Sequence, residues 1–151
     1  SGDRGDQRFA ELIDLPVSDI AVLDIDGDGE DEIAAILPFH GDQYKIFHRE
    51  GSSYRVVYTY PEPNDFYHAV VGATLSGEPV FLGGARKIGM QLFFVRWDRE
   101  RRTFVPQLID EGVGPSNVAV LNLPGQDILL SANRMIAQAA IYTTKGESFH
   151  A

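Results

Sequence analysis

The sequence contains no cysteine, two methionines and one tryptophan among its 151 residues. Because cysteine is absent, disulfide bonds and thiol chemistry are excluded, and the redox compartment stays open. Basic residues are also scarce, since 13 Lys and Arg stand against 22 Asp and Glu and give a formal net charge of −9. Such an acidic chain is unsuited to nucleic acid or to an anionic membrane surface. No apolar run approaches the roughly 18 residues of a membrane helix, and no signal-peptide pattern is present, so we expect no membrane insertion.

The composition that remains is that of a folded domain. Hydrophobic residues make up 44% of the chain and charged residues 23%, which excludes a disordered protein. A length of 151 residues suits one domain with a substantial core. Short segments rich in β-branched and aromatic residues alternate with Gly, Pro, Asn and Asp, and no segment has a helical period over a helical length. We therefore predict an all-β fold.

The most distinctive stretch is an acidic run with two glycines, DIDGDGEDE, at residues 24–32. Carboxylates so close together repel one another unless a cation separates them, and oxygen ligands at alternate positions suit Ca²⁺. The glycines allow the chain to turn tightly around an ion. The predicted ligands are the carboxylates of Asp24, Asp26, Asp28 and Glu32 and the backbone carbonyl of Glu30.

This run does not fit an EF-hand. An EF-hand loop requires a bidentate Glu at its twelfth position and a helix on each side, whereas the twelfth position here is Ala35 and both flanks read as strands. The run is therefore interpreted as a calcium loop between two strands. An acidic hairpin turn without metal is the alternative.

Together with its flanks, residues 20–36, the run resembles the FG-GAP/VCBS repeat family. The resemblance implies β-propeller blades with an Asp-rich calcium loop between the first two strands, and it favours an extracellular or cell-envelope location. The corresponding places later in the chain, residues 73–77 (ATLSG) and 122–125 (NLPG), lack the carboxylates. We therefore expect one Ca²⁺ per chain, with a structural role.

Weaker internal repeats extend over most of the chain. The segment IAVLD at residues 20–24 recurs as HAVVG at 68–72 and as VAVLN at 118–122, a spacing of about 48 residues that is typical of propeller blades. The pattern predicts three four-stranded repeats near 19–60, 67–110 and 117–151, although only three strands are recognisable in the last. Residues 8–14 resemble a fourth strand without a blade of its own.

Three blades are too few for a closed propeller, which typically has four to eight. An open arc would expose strand edges and an apolar flank. We therefore expect that a second copy of the chain, or further sequence, completes a ring of six blades.

A polar pocket is predicted on the ring face opposite the calcium loop. There the beginnings of the first strands meet the ends of the second strands, and all three repeats place polar side chains at these points. They are Asp19, Tyr67, His68 and Asn117 at the beginnings and His40, Arg86, Asn133 and Arg134 at the ends. Arginine recognises carboxylates, and Asn, Asp and His bind hydroxyl groups, so the expected ligand is a small polar or anionic molecule such as a carbohydrate.

Three alternatives stay open for these residues. They could brace the loops, as buried polar residues usually do. They could serve a sugar-processing lyase or dehydratase, since some relatives resemble such enzymes and a His beside an Asp offers a general base. The chain could also be a protein-interaction propeller, as integrin-type relatives are. His48 is interpreted as a strand residue without a role, and the arginines near Trp97 as a solvated turn.

Overall fold

The structure is a computed structural model that describes residues 16–61, 64–145 and 148–150. In this part of the chain the strands form three antiparallel sheets of four. Sheet A contains β1 (Asp19–Leu23), β2 (Glu32–Leu37), β3 (Gln43–Glu50) and β4 (Ser53–Thr59). Sheet B contains β5 (Asn64–Leu75), β6 (Glu78–Ile88), β7 (Leu92–Asp98) and β8 (Thr103–Asp110). Sheet C contains β9 (Pro115–Leu123), β10 (Gln126–Asn133), β11 (Gln138–Lys145) and β12 (Ser148–His150).

The all-β prediction is confirmed, and the three repeats correspond to the three sheets. Within the described residues the strands are interrupted by a 3₁₀ turn at Arg134–Ile136, and this part of the chain includes no helix long and apolar enough to cross a membrane. Sheet C corrects one expectation, because a fourth strand, β12, pairs with β11 where three strands were predicted. At three residues β12 is too short to carry an alternating pattern. The predicted strand at residues 8–14 lies outside the described residues.

Each sheet is a meander whose strands pair in chain order. The first strand of sheet B, β5, contacts the first strands of both other sheets, β1 and β9. The described sheets form an open series rather than a closed ring.

Sheet B is the central layer because its strands are apolar on both faces. Side chains alternate between the two faces of a strand. In β6, Phe81 points into a core shared with sheet A, and its neighbours Val80 and Leu82 point into a core shared with sheet C. Burial on both faces explains why the middle of β6 and the first half of β7 are apolar without alternation.

Hydrogen bonds from buried tyrosines join the sheets in addition to apolar packing. The Tyr44 hydroxyl donates to the Leu82 carbonyl at 2.7 Å, which connects sheet A to sheet B. The Tyr142 hydroxyl donates to Asp110 Oδ2 at 2.7 Å, which connects sheet C to sheet B. Burial, together with this bond to Asp110, raises the pKa of Tyr142 to about 12. These bonds add to the apolar packing that holds the sheets together.

Candidate functional site

The acidic run forms the connection between β1 and β2, and its own carboxylates shape it. Asp24 accepts hydrogen bonds from the Gly27 and Gly29 amides, each at 2.9 Å, through its two carboxylate oxygens. Both glycines have positive φ, +77° and +93°, a conformation that costs glycine little. The Glu30 amide donates to Asp28 Oδ1 at 2.8 Å. Asp24 therefore holds the loop closed through its backbone.

Four side chains converge beside this loop. Asp26, Asp28, Glu32 and His48 each offer a ligand atom, and these atoms lie within 4.8 Å of one another. The Glu32 side chain is fully buried at the start of β2, and Glu32 Oε1 lies 2.6 Å from His48 Nδ1. His48 Nε2 lies 3.5 Å from Asp28 Oδ2. This cluster, which we call the metal group, could hold a metal ion.

Burial, together with repulsion between neighbouring carboxylates, disfavours the charged forms of Asp26 and Glu32 in the metal group. Burial raises the pKa of Glu32, because the charged carboxylate loses hydration. Burial also raises the pKa of Asp26, and the neighbouring charge of Asp28 adds to the effect. The hydrogen bond to Glu32 raises the pKa of His48. A divalent cation at this place would relieve the repulsion among the carboxylates.

The metal group overlaps the predicted ligand set without matching it. Asp26, Asp28 and Glu32 were predicted, whereas the Asp24 carboxylate accepts hydrogen bonds from backbone amides. The backbone carbonyl of Glu30 stays a predicted ligand. His48, to which the sequence assigned no role, belongs to the group. The pairing of Ile33 with Phe47 places Glu32 directly across from His48. Knowledge of the register between β2 and β3 would therefore have identified His48 as a member of the group.

A second cluster lies at the opposite ends of these strands. The rings of His40 and His68 stack at 5.2 Å between centroids, and His40 also stacks on Phe66 at 5.1 Å. The Arg86 guanidinium carbon lies 4.9 Å from the centroid of the Phe66 ring, in cation–π geometry. The structure thus brings together three of the predicted ligand residues, His40, His68 and Arg86, around Phe66. We call these four residues the stacked cluster.

Two nitrogen atoms of the stacked cluster are buried without a partner. His40 Nδ1 and Arg86 Nε have no hydrogen bond to any described residue. Unpaired buried polar atoms cost free energy, and each in a native protein requires an explanation, such as a bound ligand. His40 and Phe66 also have positive φ, +48° and +55°, a strained conformation that concentrates at functional sites.

The proton positions in His68 follow from its hydrogen bond. His68 Nδ1 lies 2.8 Å from the Ser116 carbonyl oxygen. Because a carbonyl can only accept, Nδ1 carries a proton, and in the neutral ring Nε2 has the free lone pair. His68 can therefore accept a hydrogen bond through Nε2.

The other predicted pocket residues do not join the stacked cluster. Tyr67 is fully buried between sheets A and B, since strand alternation turns it away from its neighbours Phe66 and His68. Asn133 is fully buried within sheet C and accepts a hydrogen bond from the Ser131 hydroxyl at 2.6 Å. The remaining three are exposed, and the structure gives none of them a contact to the stacked cluster. They are Asp19, Asn117 and Arg134.

Comparison with known proteins adds no family assignment. No protein-family model matches this sequence, and no curated protein matches it either. The resemblance of residues 20–36 to FG-GAP/VCBS repeats therefore rests on the acidic loop and on the repeat pattern. The functional argument has to be made from the geometry of the two clusters.

Proposed function

We propose that the chain is a binding module in which a divalent cation stabilises the β1–β2 loop and the stacked cluster binds a small polar or anionic ligand. The observation that carries the ligand site is the pair of buried nitrogen atoms, His40 Nδ1 and Arg86 Nε, that lack partners among the described residues. A ligand oxygen would supply the missing acceptor or donor. The two parts of the proposal are independent, since the loop and the stacked cluster lie at opposite ends of the strands.

The stacked cluster has the chemistry of a site for a carboxylate that also carries hydroxyl groups. Arg86 offers guanidinium donors, and its position over Phe66 restricts its orientation. Lys87 adds a second positive charge, with its Nζ 5.2 Å from the same ring centroid. His68 Nε2 can accept from a hydroxyl group. A sugar acid combines these features, and we propose it as the ligand class.

The binding function is favoured over catalysis by what surrounds the histidines. A carboxylate beside the ring would orient a histidine general base and stabilise its protonated form. The contacts of the described residues give neither histidine an acidic partner, whereas His48 in the metal group has two.

The ion proposed for the metal group is Ca²⁺. Asp26, Asp28 and Glu32 supply the carboxylate oxygens that this ion prefers. His48 supplies a nitrogen, a ligand more typical of Zn²⁺ and other transition metals. Its hydrogen bond to Glu32 gives it a second role, because it orients a carboxylate that is fully buried. The proposed function of the ion is structural.

The sugar-acid proposal predicts a loss of binding in Arg86→Met. Methionine keeps much of the apolar stem but removes every donor, so we expect affinity for glucuronate to fall by roughly tenfold or more, the effect of losing a charge-assisted hydrogen bond. Titration of the ¹⁵N-labelled protein followed by NMR measures this. Arg134→Met, which removes an exposed arginine outside the cluster, is the matched control. Equal affinity in the parent and Arg86→Met would contradict the proposal.

We also propose that the outer face of sheet C packs against a second copy of the chain. This face exposes 57% of Ile141 and 49% of Leu121, beside a shallow apolar groove that includes Ala119 and Ala139. Sheets A, B and C bury apolar faces of the same kind against one another. An exposed apolar face of this kind marks an interaction surface or an aggregation hazard.

Light scattering tests the proposed self-association. We expect the parent to have about twice the 16.7 kDa chain mass and Ile141→Glu to have the mass of one chain, because a charge cannot be buried in an apolar interface. Ile88→Glu is the control, since Ile88 is 69% exposed but lies on sheet B. A parent that stays monomeric at high concentration would show that this face is not a self-association surface.

A further inference from the structure

A cleft lies between sheets A and B, on the side of the molecule that carries the β1–β2 loop. It has a volume of about 340 Å³. Sheet A contributes Arg55 from β4, and sheet B contributes Trp97 from β7 and Arg102 and Phe104 from the β7–β8 hairpin. Asp26 and His48 of the metal group also line this cleft. It is remote from the stacked cluster at the other ends of these strands.

The wall of this cleft on sheet B is aromatic and held by its neighbours. Trp97 pairs with Phe104 in the register of β7 and β8, and their rings meet edge to face at 4.8 Å. Tyr58 of sheet A packs against Phe104, with 5.8 Å between the two ring centroids. The Trp97 side chain is half-buried and lines the cleft, so it offers an apolar surface on which a ring can stack.

Positive charge is concentrated around this wall although the whole protein is acidic. Arg55 and Arg102 line the cleft. Arg99 extends from the β7–β8 hairpin to the β1–β2 loop. Its Nη2 lies 3.5 Å from the position that a Cβ atom would take if Gly27 had one. Only Arg55 among these three forms an ion pair within the described residues, and its partner is Glu50. The two arginines of the hairpin are therefore available to an anion.

The charges on the two sides of the cleft select the kind of anion. The arginines attract a carboxylate or a phosphate. Asp26 offers one carboxylate oxygen to the metal group, and its other oxygen can accept a hydrogen bond from a hydroxyl group in the cleft. A sugar acid in a chain carries one carboxylate per ring and several hydroxyl groups, and its ring can stack on Trp97.

We infer that this cleft is a second binding site, for an acidic oligosaccharide built of uronic acid units. One sugar ring packs on Trp97, its carboxylate pairs with Arg102, and a hydroxyl group faces Asp26. The inference is independent of the site at the stacked cluster, because no residue is shared. It also gives a role to the arginine-rich hairpin, which the sequence indicated only as a solvated turn.

Trp97 allows a direct test because it is the single tryptophan of the sequence. Titration of the parent with trigalacturonate should change the intensity and wavelength of its fluorescence, whereas neutral maltotriose should bind at least roughly tenfold more weakly. Arg102→Met should lower trigalacturonate affinity by a similar factor. Arg101→Met is the matched control, since Arg101 is the adjacent exposed arginine and does not line the cleft.

Three outcomes would overturn the inference. One is the absence of a fluorescence change with trigalacturonate, and another is an equal effect of Arg101→Met and Arg102→Met. The third is loss of the response in Arg86→Met, because it would place the sugar at the stacked cluster. Retention of the response in Arg86→Met supports the cleft even if the proposal for the stacked cluster fails. Thermal melts of Arg101→Met and Arg102→Met should match the parent, since both arginines are exposed.

Discussion

Substitution of Asp26 and Asp28 together by Asn is expected to abolish the rise in melting temperature that Ca²⁺ gives the parent protein. A ligand at 100 times its Kd stabilises the folded state by about 2.7 kcal/mol, which is roughly 5–10 °C for a domain of this size. The double variant removes two of the three carboxylates of the metal group but keeps oxygen acceptors for the Asp28 and Glu30 amides. Calorimetry with Ca²⁺ and with a chelator measures the difference.

The same variant should be at least as stable as the parent when a chelator is present. Without a cation the carboxylates of the metal group repel one another, and burial already raises the pKa values of Asp26 and Glu32. Removal of two charges relieves that repulsion. Asp31→Asn is the control, because it removes a charge of the same loop that lies outside the metal group. An equal calcium response in the parent and the double variant would contradict a metal site here.

Comparison of ions tests the role of His48. Because the metal group is dominated by carboxylate oxygens, we expect Ca²⁺ to stabilise the parent more than Zn²⁺ does. His48→Gln should retain the calcium response if the imidazole serves mainly to orient Glu32. A zinc response larger than the calcium response, lost in His48→Gln, would instead assign a nitrogen ligand and a transition metal.

The sheets could be predicted from the sequence because their signals are local. Strands of five or more residues with apolar side chains and Gly-rich turns repeat three times, and the repeats near 19–60, 67–110 and 117–151 fall on sheets A, B and C. The short strand β12 was missed for the same reason, since three residues carry no period.

In both clusters, the sequence predicted the residues that are close in the chain or at strand ends but not the contacts set by strand register. The acidic loop was visible because its residues are adjacent in the chain, whereas His48 reaches Glu32 only through the register of two strands. Alignment of the repeats correctly brought His40, His68 and Arg86 to one end of the sheets, because strand ends depend only on topology. It failed to separate inward from outward side chains, so Tyr67 was included and its neighbour Phe66 was omitted.

Gly83→Ala is expected to destabilise the protein more than any surface change. Gly83 lies in β6 at the interface of sheets A and B, and a Cβ atom there would be 2.3 Å from Phe93 Cζ and 2.7 Å from Tyr44 Cε2. Contacts this short require side chains to move, and overpacking of a core costs about 1–3 kcal/mol or more.

Neither ring can move aside cheaply. Phe93 stacks on Tyr60 at 3.6 Å between centroids and meets Tyr44 edge to face at 5.0 Å. Tyr44 in turn is held by its hydrogen bond to the Leu82 carbonyl. We therefore expect a loss near the upper end of that range, about 3 kcal/mol, measured as a lower midpoint in urea denaturation.

Gly72→Ala is the matched control for this change. Gly72 is also a strand glycine of sheet B, but its nearest neighbour, Leu23 Cβ, would lie 3.6 Å from the added methyl group, an ordinary van der Waals distance. Equal stability of Gly83→Ala and Gly72→Ala would mean that sheets A and B do not pack through Phe93 and Tyr44. That packing also positions the two walls of the Trp97 cleft. We therefore expect Gly83→Ala to lose its fluorescence response to trigalacturonate at a lower urea concentration than the one at which the protein unfolds.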